Sequence, residues 1–282
     1  MPRSSSGRRP VERGFSLLEL LVGLGMVGIG LGATVAFAST SVKLLRQNHL
    51  RVEVKQALRA SSDSIVRDMR LAAACLPQNG AFVALAGVDS ALADSVTIRT
   101  GFSDDNLSCI ATTVATVHAG GAVVIDVDNA QGFGQARLGY LRHLDGDGEF
   151  FIIADVDPGA NTITRADGAT RDFPVGSGVF AVDERTYALD GTDPDAPQLT
   201  LDVDREGATP FAVGISELDV RYILARNCPP CDVVDMPADD MEWWLVNQVQ
   251  LTLKGKTINP IRAEDVYSET RTITGKPRNL LP

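Results

Sequence analysis

Histidine, cysteine and tryptophan are scarce in this chain, with three, four and two copies in 282 residues. The histidines His49, His118 and His143 lie far apart and suggest no metal or acid–base cluster. No nucleophile elbow, P-loop or zinc-helix motif occurs, and no serine or threonine has a plausible histidine partner nearby, so the chain reads as a non-enzyme. Basic residues are outnumbered: 26 Lys and Arg against 36 Asp and Glu leave a net charge of −10, which argues against nucleic acid as a partner. Proline is missing from residues 15–76, internal repeats and low-complexity linkers are missing throughout, and charge is missing from Leu20 to Val42.

That last absence is the most informative. The stretch Gly14–Val42 carries one acid, Glu19, and no other formal charge. At helical rise, Leu20–Val42 spans roughly 35 Å, enough to cross a hydrocarbon core. In front of it, residues 1–14 hold Arg3, Arg8, Arg9 and Arg13 against Glu12 alone, a net +3. The positive-inside rule keeps such an end in the cytoplasm, so the rest of the chain is exported. Removing this leader from a chain of −10 leaves −13 on the remainder. A secretory signal has a shorter apolar region followed by a small-residue cleavage site; here the run is too long and the Gly14-Phe15 junction precedes it.

The order of basic leader, Gly14, Phe15, Glu19 and apolar run resembles the class III signal of type IV prepilins and pseudopilins. The resemblance implies that a membrane-embedded prepilin peptidase cuts after Gly14 and that Phe15 becomes a methylated N-terminus. A carboxylate inside a bilayer is costly and needs a partner; in a pilus-like filament the partner of Glu19 would be the free α-amino group of a neighbouring subunit. The plainer reading is an acid snorkelling at the end of a signal anchor. Glycines at 23, 25, 28, 30 and 32 crowd the span, and Gly28 with Gly32 forms a small-xxx-small spacing that lets helices pack closely or softens the helix. Many major pilins carry a proline in mid-helix; this chain has none there.

Beyond the span the periodicity turns amphipathic. Over residues 43–76, Val54, Leu58, Ser61, Ile65, Met69 and Ala72 recur at steps of three or four, with Arg51, Glu53, Lys55, Arg59, Asp63, Arg67, Asp68 and Arg70 assigned to a solvated face. Pro77 and Asn79-Gly80 stop this helix, predicted at about 60 residues and about 90 Å. Residues 77–282 then read as short strands between Gly, Asp, Asn and Pro turns. The clearest are ELDVRYIL, with Leu218, Val220, Tyr222 and Leu224 on one face, and WWLVNQVQLTLKG, where Leu245, Val249, Leu251 and Leu253 share a face interrupted by Asn247. The predicted fold is α+β: leader 1–14, membrane or filament-core helix 15–42, amphipathic helix 43–76, and an antiparallel β-rich head over 77–282.

Four cysteines in an exported segment point to disulfides, and four allow three pairings. C-P-P-C at 228–231 closing on itself, with Cys75 to Cys109 as the other bridge, is the favoured one. Redox chemistry at Cys228 and Cys231 would need a helix N-terminus, and zinc would need two more ligands. In LDGDGEF, Asp145, Asp147 and Glu149 alternate as calcium ligands could, as do Asp190, Asp193 and Asp195 in LDGTDPDAP; solvated turns are the plainer reading. Trp243 and Trp244 form a binding surface or, more simply, pack at a strand start.

The motifs Tyr187-Ala-Leu-Asp, Gln198-Leu-Thr-Leu, PFAVGISELDVRYIL, the Trp-started strand and the ending with Arg278-Asn279 are similar to the C-terminal half of PilW/PulJ-type minor pilins and pseudopilins. This resemblance implies a single-pass inner-membrane protein with a periplasmic head that later enters a pilus or pseudopilus. Its partners would be other minor and major pilins, the prepilin peptidase and the inner-membrane assembly platform, with no resident cofactor. The sibling reading is a pseudopilin of a type II secretion system. A rival of another class is a signal-anchored periplasmic domain that binds calcium or another ligand.

Overall fold

The computed structural model describes residues 16–77, 82–89, 94–102, 108–258 and 266–278. Helix α1 runs Leu17–Leu71, and the chain divides into two compact units, Met1–Leu50 and Arg51–Pro282, taken here in turn. In the first unit the described residues are helical from Leu17 onward, and every side chain from Ser16 to Thr40 is exposed.

In the second unit α1 docks on a β-rich head. The six stripe residues Val54, Leu58, Ser61, Ile65, Met69 and Ala72 are all buried. Burying each large apolar side chain among them contributes about 1.5–3 kcal/mol, which holds the helix to the head. Asp68 departs from the expected solvated face: it is buried, because partners from the sheet, Tyr187 and Arg185, reach it. The helix also ends at Leu71, short of the predicted 76. Ala73 takes the left-handed conformation at φ 63° that closes a helix, and its N–H donates 3.0 Å to the Arg99 carbonyl. The chain is thereby handed to the first sheet before Pro77 is reached.

That sheet, ten-stranded among the described residues, contains β1 (Leu85–Val88), β2 (Ser95–Gly101), β3 (Ala111–Thr113), β4 (Val124–Asp126), β5 (Leu138–Arg142), β6 (Gly148–Asp157), β7 (Thr162–Arg165), β8 (Gly178–Asp190), β9 (Gln198–Val203) and β10 (Thr209–Val213). Its path is β1-β2-β8-β5-β6-β7-β4, all antiparallel, with β9 and β3 also on β8 and β10 on β9. Strand β8 is the hub: its first residues pair with β5 and β3, its last with β2 and β9. Consecutive apolar residues in β6 reflect cover on both faces, since Phe150 and Ile152 join the core under α1 while Phe151 and Ile153 join a second core with Ile125, Phe133, Ile163 and Phe173.

The second sheet has the order β12-β11-β13-β14, with β11 at Ile215–Leu224, β12 at Asp232–Val234, β13 at Val246–Lys256 and β14 at Ser268–Gly275. The tryptophans lie before β13 rather than in it. Asp239 caps the short helix α2 (Asp240–Trp244) by accepting 2.8 Å from the Glu242 N–H, and Trp243 packs edge-on to Tyr222 at 4.8 Å. Asn247 interrupts the alternation because it is the extra residue of a bulge: Ile223 faces Gln248 while Leu224 faces Val246. The helix meets this sheet where side chains are missing. A Cβ on Gly255 would lie 2.8 Å from Val54 Cγ1, and one on Gly275 would lie 2.9 Å from Met69 Sδ.

Candidate functional site

The N-terminal segment is built to stand without water around its backbone. Ser16 opens α1: its hydroxyl accepts from the Leu18 N–H at 3.3 Å and its carbonyl from the Glu19 N–H at 3.0 Å. Glu19 sits in the first turn, where the helix macrodipole favours an acid. Ser16 went unread in the sequence, although Ser-x-x-Glu before an apolar run is the capping-box signal. Gly14 and Phe15, the expected processing positions, lie outside the described residues.

Three hydroxyls in the span turn inward on the helix itself. Thr34 donates 2.8 Å to the Leu31 carbonyl, Ser39 2.8 Å and Thr40 2.9 Å to that of Ala36. Such back-bonding satisfies these three donors within the helix, as hydrocarbon favours. Large apolar side chains face outward throughout, with Leu17, Ile29 and Phe37 among the most exposed. Cβ atoms built at Gly23, Gly25, Gly28, Gly30 and Gly32 meet nothing within 4 Å, so nothing in the chain's own fold demands glycine there. Close approach at Gly28 and Gly32 would have to come from another molecule.

The head places its candidate ligands against cations. Asp145 and Asp147, in the turn between β5 and β6, converge on Arg171, at 2.6 and 3.5 Å. The Arg171 hydrogen bond holds the Asp145 carboxyl at about 2. Glu149 belongs to β6 and faces elsewhere, bonding Arg165 at 2.5 Å and the backbone and hydroxyl of Thr170. Among the described residues no three His, Cys, Asp or Glu side chains gather as a metal cage. In the second acidic loop, Asp190 accepts from Thr192 and Gln198 and Asp193 accepts from the Asp195 N–H, so these carboxylates close turns.

The structure joins Cys75 to Cys109 and Cys228 to Cys231. The second bridge lies in the β11–β12 connection, which Arg226 also closes by bonding Asp232 at 2.6 Å and pairing with Glu242. His118 is buried behind β4, its Nδ1 3.1 Å from the Val124 carbonyl, and burial lowers its pKa. His143 pairs with Asp145 at 2.8 Å, which gives it a place in the turn.

Residues 9–35 match the prokaryotic N-terminal methylation motif. No curated protein and no solved structure matches the chain. The motif joined to the long apolar helix fits a type IV pilin-like protein and points to a structural rather than a catalytic role. The apolar helix and this signal are consistent with membrane anchoring.

Proposed function

We propose that this chain is a PilW-like minor pilin that takes part in starting assembly of a type IV pilus. The observation that carries the reading is the methylation motif at residues 9–35 running directly into a helix whose apolar side chains face outward. In this reading the precursor crosses the inner membrane once with its head in the periplasm. The prepilin peptidase cuts after Gly14 and methylates Phe15, and the assembly platform lifts the helix into a filament core among other minor and major pilins. Glu19 pairs there with the N-terminal amine of a neighbour, a desolvated charge pair that supplies register. Gly28 and Gly32 let the neighbouring helix approach. The diffuse resemblance of the 187–279 region to PilW/PulJ-type proteins supports the minor-pilin assignment.

Mass spectrometry of the mature N-terminus tests this. A methylated Phe15 is expected; an intact Met1 or a cut elsewhere overturns the reading in favour of a signal-anchored periplasmic domain. The same motif supports a type II secretion pseudopilin, and deletion separates the siblings: loss of surface pili is expected here, loss of protein secretion there.

A further inference from the structure

A buried hydroxyl without a partner lies where the ends of the two sheets come together. Strand β1 ends the path of the first sheet and β12 that of the second, and the gap beside them is lined by Gly87, Val88, Asp89, Asp94, Asp235 and Met236 around Tyr222 of β11. Tyr222 is 1% exposed, and its hydroxyl makes no hydrogen bond among the described residues. Buried polar atoms are almost always paired, so this one points to a group that the chain itself does not supply. The ring is held in place: Trp243 packs edge-on to it at 4.8 Å, and Gly87 lies so near that a Cβ there would come within 2.5 Å of the hydroxyl oxygen. Burial, and then the charge of Asp94, pushes the Tyr222 phenol up. The hydroxyl therefore keeps its proton and can both donate and accept.

The rest of the lining selects the ligand. Among the described residues of the gap three are aspartates and none is basic. Asp94 is fixed there by accepting from the Val220 N–H at 3.3 Å, while Asp235 meets Arg221 at 3.6 Å in an exposed pair that another cation can exchange with. Calcium would need its oxygens gathered at about 2.3–2.6 Å around one point, and the described acids do not gather so. An ammonium instead carries three donors that reach separate acceptors, on a flexible apolar stem. Val88 and Met236, 59% and 47% exposed, flank the gap and seat such a stem. We propose that this gap is a socket for the side-chain ammonium of a lysine on a neighbouring subunit, which donates to Asp94, to Asp89 or Asp235, and to the Tyr222 oxygen. The inference rests on the filament reading above, which supplies the neighbour, and a basic side chain is the one that complements a chain of net charge −10.

Carbon NMR of the tyrosine-labelled full chain in detergent micelles tests the socket, with N-acetyl-lysine methylamide as the probe and Tyr222→Phe assigning the ring signal. A saturable shift of the Tyr222 signal is expected, with binding to D89N/D235N about tenfold weaker. Asp89 and Asp235 are both exposed, so D89N/D235N should melt as wild type does. No saturable shift, an equal shift from the uncharged norleucine analogue, or an unchanged affinity in D89N/D235N overturns the socket. So does Ca²⁺ or putrescine binding more tightly than the lysine probe, which would mark a metal site or a free-amine site. In sheared filaments a carbodiimide is expected to join Asp89 or Asp235 to a lysine of an adjacent subunit; filaments that hold the chain without this cross-link overturn the subunit contact. A chain absent from filaments defeats the filament reading itself, and the titration then decides the socket alone.

Discussion

The carboxylate of Asp68 on α1 accepts a 2.7 Å hydrogen bond from the hydroxyl of Tyr187 on β8, and both residues are buried. Arg185, on the same strand, adds a contact at 3.2 Å, and Ser64 lies 3.4 Å from the Tyr187 hydroxyl. Burial, with the Asp68 bond reinforcing it, pushes the Tyr187 phenol up to about 12. The pair ties helix to sheet at a fixed rotation. Asp68→Ala should cost about 2–4 kcal/mol by stranding two buried partners, and Tyr187→Phe about 1 kcal/mol. Chemical denaturation of the chain in detergent measures both; an Asp68→Ala variant as stable as wild type would remove this lock.

Glycines in the two units should answer substitution differently. Gly255→Val drives a side chain into Val54 and Leu58 and is expected to destabilise the head by about 1–3 kcal/mol. Gly28→Val meets nothing in the chain itself, so the head should melt as in wild type. Any defect of Gly28→Val should therefore appear only in filament incorporation, read by immunoblotting of sheared filaments.

Glu19→Ala should impair incorporation into filaments while the head stays folded, because the acid sits exposed in the first turn of α1, outside the buried core of the head. Normal assembly of this variant would show that register comes from elsewhere.

His118 predicts an acid-sensitive head. Burial holds its folded pKa below the ordinary 6.5, with Arg165 adding to the effect against Glu149, Asp126 and the Val124 carbonyl. The unfolded chain therefore binds the extra proton first. Stability from the neutral imidazole is complete above pH about 6.5 and falls as pH drops toward the lowered folded value. Melting temperatures between pH 7.5 and 5 should drop more steeply for wild type than for His118→Gln. Parallel curves would assign the acid sensitivity to other groups.

Calcium at the 145–149 turn would have to displace Arg171 from Asp145 and Asp147 and Arg165 from Glu149. Isothermal titration with Ca²⁺ should give no saturable heat, and chelation should move the melting temperature by less than about 1 °C. A saturable heat with a rise in melting temperature would place an ion there after all.

Where a pattern is local, the sequence carries it in full. The stripe Val54 to Ala72 and the alternation in β11 follow from periods of 3.6 and 2, and those residues are buried in the structure, whereas the apolar run is exposed along its length. Two helix caps also rest on short local signals, Ser-x-x-Glu at 16–19 and Asp-x-x-Glu at 239–242. Asp68, the bulge at Asn247 and the early end of α1 left no such trace, because each depends on a residue more than 20 positions away.

What the sequence determined by itself is therefore the membrane-length apolar helix and its class III signal, since both depend on length and charge along one continuous stretch. Only the tertiary structure decided which polar residues are ligands, locks or turns. Asp145, Asp147, Glu149 and Asp68 are all acids in plain sequence. Arg171, Arg165 and Tyr187 give them their roles, and those partners are brought into reach by strand pairing rather than by spacing along the chain.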